Sequence, residues 1–549
     1  MIDMARKISG TISGPLTLKP SDNPLTITGT GSVASTGANN DAIDGAAGTA
    51  WSIINKGAVS SEQGWAISLA GAGALDNSGM ISGQLGGFET GGTGAVTNSG
   101  TIKGTGEGLD AIDLHGGGST TNKAGGLIKS GLHGVAITID GGSGTVTNSG
   151  TISGLLGSGI FLLDGGSVTN KAGGVIQAPD RSVGVDIENA SGTVTNNGKI
   201  SGGLGGGVYL GAGGVVTNGA NGVISGAARG AGVEIGGGSG TVTNNGRITG
   251  IAAAVFIDDG GSVTNTGTIK ANGGLASDGV RLGIYDEGQI SVVTNQKGGL
   301  ISGGGNGVET VFGSGIVTNA GTISGGTHSV LFDPGTRDNR LIIKPGAVFK
   351  GAADATGASN STIELAKGSG AISGIGNSQF LGFDTLADDG GASWTLKGIN
   401  TIATVLNDGK LEVSGGLVVS SAIDPNSAGV FKLDGGSTLE VAAALGTAAK
   451  VSFASGSDLM VDHFASFGQN IGTDHYAGSL LELFGGSTVD LKDFGFAGLE
   501  SSFTPSSGLL QLTNGASQAA TLDFQTSSLG RGQFHFADDH NGGVLITHH

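Results

Sequence analysis

The chain has 549 residues, more than one globular core usually takes, so it is either several domains or one structure that grows by repetition. Glycine fills 114 positions, about a fifth against a usual ~7%, with 8 prolines and no Gly-X-Y period, which excludes collagen. A net charge of −18 excludes a nucleic-acid or anionic-membrane surface, and the absence of cysteine excludes disulfides, thiolate metal sites and cysteine nucleophiles.

Residues 1–50 read as an N-terminal cap or assembly segment. Met1 to Lys7 leads into Ser, Gly, Thr and Pro rather than an apolar run, so no cleavable signal peptide is expected. No stretch reaches the ~18 apolar residues of a membrane span. The runs Lys7 to Gly14 and Pro24 to Gly29 are strand-like and either cap the first coil or add strands to a neighbouring subunit.

Residues 51–326 are internally repetitive. Val146 to Gly154, Val194 to Gly202 and Val317 to Gly325 are near copies built on Val-Thr-Asn and Ile-Ser-Gly. The equivalent asparagines are Asn55, Asn77, Asn98, Asn122, Asn148, Asn170, Asn196, Asn218, Asn244, Asn265, Asn295 and Asn319, with a mean period of 24 residues. That period is one coil of a β-solenoid with three short strands and three turns. A second strand recurs in Gly134 to Ile137, Gly184 to Ile187, Gly207 to Leu210 and Gly232 to Ile235, where alternation points Val and Ile inward and the intervening residue outward. Turns such as Asp140 to Ser143 and Asp164 to Ser167 use glycine for positive φ, and aspartate there can bond its own backbone.

Stacked at a strand spacing of about 4.8 Å, the asparagine rungs predict a rod about 53 Å long. Each asparagine is expected to donate its amide to the side-chain oxygen in the next coil, a buried structural ladder rather than a row of ligand sites. Asparagine also tolerates the left-handed conformation that such a bend can require. From Asn122 to Asn265 the spacing runs 26, 22, 26, 22, 26, 21, so long and short coils alternate, with the extra residues in two corners.

Residues 327–475 lose the Thr-Asn motif and read as an irregular, phenylalanine-richer solenoid; 4 phenylalanines precede position 330 and 15 follow it. Here Asp338 to Gly351, Ser361 to Leu365, Phe383 to Leu386 and Ala392 to Gly398 remain strand and turn. Their Leu-x-Leu, Pro-Gly-Ala-Val and Trp-Thr-Leu succession, with the Asn-Ser-Gly-Thr-Ile repeats before it, resembles the passenger domains of autotransporter adhesins over roughly residues 50 to 450. The resemblance implies a right-handed β-helix on a bacterial surface. Such proteins carry a signal peptide and a C-terminal membrane barrel, neither of which is read here. Residues 476–549, through Phe494 to Leu499, Gly508 to Gly515, Ala520 to Phe524 and Phe534 to Thr547, resemble the C-terminal region of type I secreted surface proteins. They are expected to form a β-rich cap and a candidate uncleaved secretion signal.

Chemistry-bearing clusters are sparse. Asp258-Asp259, Asp388-Asp389 and Asp538-Asp539 read as solvated turns, and His115, His133, His328, His463, His475, His535 and His540 show no metal-ligand spacing. His548 and His549 support no function. No cofactor is expected; calcium, for which Asp333, Asp338, Asp388, Asp389, Asp538 and Asp539 could supply oxygens, is the one candidate ion. The expected protein is an all-β, elongated solenoid with a C-terminal cap, outside the cell and without enzymatic activity. It would polymerise through its ends or flanks into a filament, layer or appendage. The alternative is a monomeric adhesin that holds surface glycans on residues 330–470, and polysaccharide cleavage rests on fold analogy alone.

Overall fold

The computed structural model describes residues 6–37, 40–283, 290–442, 448–463 and 480–549. The chain is an all-β parallel solenoid with a β-rich C-terminal region. It divides into two compact units, Met1–Gly313 with Ile323–Ser329, and Ser314–Thr322 with Val330–His549. Among the described residues no helix is long and apolar enough to cross a membrane.

In the first unit each coil takes three strands. One coil runs through Gly144–Asn148, Thr151–Leu155 and Ile160–Leu162, and the next begins at Gly166–Asn170. Successive coils pair parallel and in register, Gly144 opposite Gly166 and Asn148 opposite Asn170. The alternation in the sequence drives this: Val146, Ile152, Ile160 and Leu162 are buried, as are their equivalents Val168, Ile176, Val185 and Ile187. Between them Thr147, Phe161 and Asp186 point away from the core.

The alternate coil lengths come from corners. The long corners Lys123 to Gly126 and Lys171 to Gly174 close with Gly126 N–H donating to Lys123 O and Gly174 N–H to Lys171 O, both at 2.9 Å. Gly125 (φ 82°) and Gly173 (φ 80°) sit at the third turn position, which a type II turn reserves for a residue with positive φ. Glycine therefore makes these bends; none of the ladder asparagines adopts positive φ, contrary to the sequence expectation.

Residues ahead of position 51 already follow the coil plan. Arg6–Ile8 pairs with Leu25–Ile27, which pairs with Trp51–Asn55, so Ile8 and Ile27 occupy the register that Asn55 takes next.

The second unit changes the coil. Ser314–Asn319, Arg340–Ile343, Thr362–Leu365 and Thr385–Asp388 pair in parallel, then two long strands, Ala392–Asn407 and Lys410–Ile423, run side by side. Beyond them Leu411, Phe431, Val451 and Leu481 stack inward in successive pairings. The sequence reading found no ladder here, but a serine column replaces it. Ser437 and Ser457 each donate their hydroxyl to the carbonyl three residues back, at 2.7 Å, and Ser487 donates to Ala454 O; all three are buried.

The C-terminal region closes the parallel sheet with antiparallel strands. Val544–His548 lies antiparallel on Thr488–Leu491, and Phe534–Asp538 lies antiparallel on Val544–His548. Aromatic rings fill this region, Phe453 on Phe484 at 5.3 Å, Phe484 on Phe524 and Phe524 on Phe534 at 4.9 Å.

Candidate functional site

Asn55 Nδ2 donates to Asn77 Oδ1 at 2.8 Å, and the series continues coil by coil to Asn265 donating to Asn295 at 2.9 Å. Each amide also reaches backbone carbonyls, as Asn148 does to Gly150 O and Val175 O. In the second unit Asn319 donates to Val348 O and accepts from Gly321 N. All twelve asparagines have no solvent exposure, so the row is a structural spine with no access for a ligand.

Outward-facing side chains carry whatever chemistry the solenoid has. On the third strand of each coil one outward position lies in register from coil to coil: Asp44, Ser68, Glu89, Asp113, Thr138, Phe161, Asp186, Tyr209, Glu234, Phe256, Arg281 and Glu309. Alternation alone puts the middle residue of Val-Asp-Ile, Val-Tyr-Leu and Val-Glu-Ile outside, but its alignment down the stack appears only in the register of the coils. The column holds carboxylates and hydroxyls from Asp44 to Thr138 and alternating rings and carboxylates from Phe161 to Phe256.

The first part converges on His115. Its Nε2 is 3.3 Å from Asp113 and its Nδ1 is 3.2 Å from Asp140, which faces it from the next coil. Asp140 thus meets a histidine rather than bonding its own turn. Asp113 is on the strand Ile112–Leu114 and His115 directly follows it, two residues on, which puts both on one face. Nearby, Glu89 accepts from Ser68 Oγ, and Asp110 accepts from Thr138 Oγ1 and Val135 N. Burial raises the Asp113 carboxyl to about 7 against the pull of His115, with Asp110, Asp140 and Glu89 pushing the same way as burial. Burial resists a charge on His115, but Asp113 and Asp140 outweigh it and raise its pKa above the ordinary value.

No family model matches the chain, and no curated protein does. The site is therefore read from its own geometry.

One ligand atom each from Asp113, His115 and Asp140 lies within 4.8 Å of the others, the one such group among the described residues. A nitrogen with two carboxylate oxygens is a donor set that suits zinc or a neighbouring first-row ion better than calcium, which takes six to eight oxygens. The two carboxylates make the imidazole between them hold a proton more readily than a free one.

In the second part of the column, Phe161, Asp186, Tyr209, Glu234 and Phe256 follow one another in register. Burial, then Glu188, raises the Asp186 carboxyl to about 7; burial, then Asp258, raises Glu234. Arg281 pairs with Glu309 at 3.2 Å and lies 5.9 Å from the centre of the Phe256 ring.

The residues singled out from the sequence fall differently. Asp258 borders this column and is raised by burial and by Asp259. Asp388, read as a solvated turn, is 1% exposed and sits in ladder register between Leu365 and Asn407; burial raises it to about 7, reinforced by Asp389 and Asp408. The pattern Asp-Asp-Gly-Gly looks like a turn, but the strand runs through its first aspartate. Asp538 and Asp539 bind their own loop, His540 N and Asn541 N at 2.8 and 2.7 Å. Asp338 accepts from Asn360, and none of the calcium candidates, Asp333 and Asp389 included, joins the Asp113 group. His133 approaches Glu107, His328 meets Asn306 and His463 meets Asp493. His535 stacks on His549 at 4.1 Å, and His548 packs on Phe534. His475 lies outside the described residues.

Among the described phenylalanines that the adhesin alternative would use in residues 330–470, Phe332, Phe380, Phe383, Phe431 and Phe453 are buried and Phe349 is half-buried. The C-terminal region holds a cavity of about 260 Å³ between Phe503, Leu510, Phe534 and His548. That is below the usual size of a small-molecule site.

Proposed function

We propose that this chain is an extracellular structural protein of a Gram-negative bacterium, exported by a type I route and assembling with copies of itself into a filament, layer or appendage. The observation that carries this reading is an uncharged flank. On the first strand of successive coils the outward pairs are Ser119 and Thr121, Thr145 and Thr147, Ser167 and Thr169, Thr193 and Thr195, Val215 and Thr217, Thr241 and Thr243, Ser262 and Thr264. Every one of these fourteen positions is neutral. At a net charge of −18, copies repel one another across most surfaces, and a flat, neutral, hydroxyl-bearing flank is where they can approach. No catalytic role is part of the proposal.

The test is negative-stain electron microscopy of the full chain over a range of protein and calcium concentrations. Ordered fibres or sheets are expected. Discrete particles at high concentration, with and without calcium, overturn the reading. A second reading, attachment to glycans as an adhesin, is favoured by the rings and carboxylates that alternate along the third strand.

A further inference from the structure

We infer that the outward third-strand column from Phe161 to Phe256 is a track for a linear, uncharged, β-1,4-linked polysaccharide; this deepens the adhesin reading and rests on it. Two observations carry it: the spacing of the rings and the groups between them.

Phe161, Tyr209 and Phe256 are separated by one coil each, so the rings recur every two strand spacings, about 9.6 Å. An extended β-1,4-linked chain turns over with each sugar and repeats every disaccharide, a length of the same size. Alternate sugars can therefore lay their apolar C–H faces on successive rings.

Between the rings, in register, stand Asp186 and Glu234. Among the described residues the Asp186 carboxyl takes no hydrogen bond from the protein, and its Oδ1 is buried without a partner. Carboxyl groups set between stacking platforms are acceptors for the equatorial hydroxyls of the sugars that bridge one ring to the next. Glu188, Asp258 and Asp259 flank the line, so an anionic polymer such as a polyuronate is repelled.

The experiment is calorimetric titration of the full chain with cellulose- and chitin-derived oligosaccharides of three and six sugars, and with a hexameric oligogalacturonate. The expected result is that a six-sugar ligand, long enough to span all three rings, binds about tenfold or more tighter than a three-sugar one. Oligogalacturonate shows no binding. Tyr209→Ala weakens hexasaccharide binding about tenfold, as loss of a central aromatic anchor does, and Phe161→Ala with Phe256→Ala abolishes the length dependence. Thr193→Ala with Thr241→Ala, on the neutral flank, leaves binding unchanged. Hexasaccharide binding that survives in the ring variants overturns the track while leaving attachment through another surface standing. Absence of binding by either hexasaccharide overturns both the track and the adhesin reading, and equal binding of oligogalacturonate overturns the track. Circular dichroism of each variant separates loss of binding from loss of fold.

Discussion

Two outward faces of the first unit are built on the same coils and differ in how they use them. On the first strand, the position before each asparagine is Thr121, Thr147, Thr169, Thr195, Thr217, Thr243 and Thr264, one residue type repeated. On the third strand, the outward position runs Thr138, Phe161, Asp186, Tyr209, Glu234, Phe256 and Arg281 over the same coils. Both positions are strand sites between two buried side chains, so the requirements of the coil are similar for each. The threonines serve the sheet: a β-branched residue beside the ladder favours the extended backbone, and threonines directly across from one another stabilise the pairing. The third-strand column departs from such uniformity without any packing need. In a repeat protein, variation at a position that the fold leaves free is where specificity can be placed.

The constant inward row should be the costliest to disturb. Asn170→Leu removes the acceptor of Asn148 and the donor to Asn196, along with the bonds to Gly174 O and Lys199 O. An expected loss of about 3 to 4 kcal/mol follows from leaving buried polar partners unpaired. Hydrogen exchange checks it, because protection should fall first in the coils on either side, as nearest-neighbour coupling predicts.

Asp388 breaks the comparison, since a variable residue occupies the register of the constant row. Its carboxyl titrates near 3.8 when unfolded and at about 7 in the fold, so between those values the native chain holds a proton that the unfolded chain lacks. Stability contributed by this group is therefore full below pH about 4 and declines as pH rises through 7. Asp388→Asn is expected to stabilise the second unit by about 2 kcal/mol at pH 8 and to leave it unchanged or slightly weaker at pH 4. Urea unfolding at the two pH values measures this.

Smaller effects on stability come from the faces. Thr195→Lys with Thr217→Lys places two charges on the neutral flank; stability should change by less than about 1 kcal/mol, while assembly seen by light scattering is lost. His115→Ala should cost under about 1 kcal/mol at pH 6, since the imidazole is nearly half exposed and its ion pairs are screened. Its stabilisation is present below its ordinary value of 6.5 and fades as pH rises through the higher value it holds in the fold. An NMR titration of the His115 ring with a midpoint at or below 6.5 would contradict the two ion pairs.

What could be read in the sequence follows the same division. The asparagine row, the alternating Val and Ile, and the long and short corners all declared themselves through repetition. Tyr209 and Asp186 did not, because their significance lies in register across coils of unequal length, 26 and 22 residues apart by turns, and no fixed spacing reveals it. Asp113 and His115 were two residues apart in plain view, but their third partner, Asp140, is brought beside them only by the stacking of the next coil. Phenylalanine enrichment after residue 330 marks a change of packing, and rings such as Phe332, edge-on against Phe383, are buried there.

The side-chain ladder has a direction. In every link from Asn55 to Asn295 the amide of the earlier coil donates and the oxygen of the later coil accepts. The amide dipoles therefore add instead of cancelling, as peptide dipoles do in an α-helix, and the buried row carries a positive pole toward the later coils and a negative one toward the earlier. A coil turned over would present donor to donor, so the row works as a ratchet on growth: duplicated or deleted coils fit back into the stack in one orientation only.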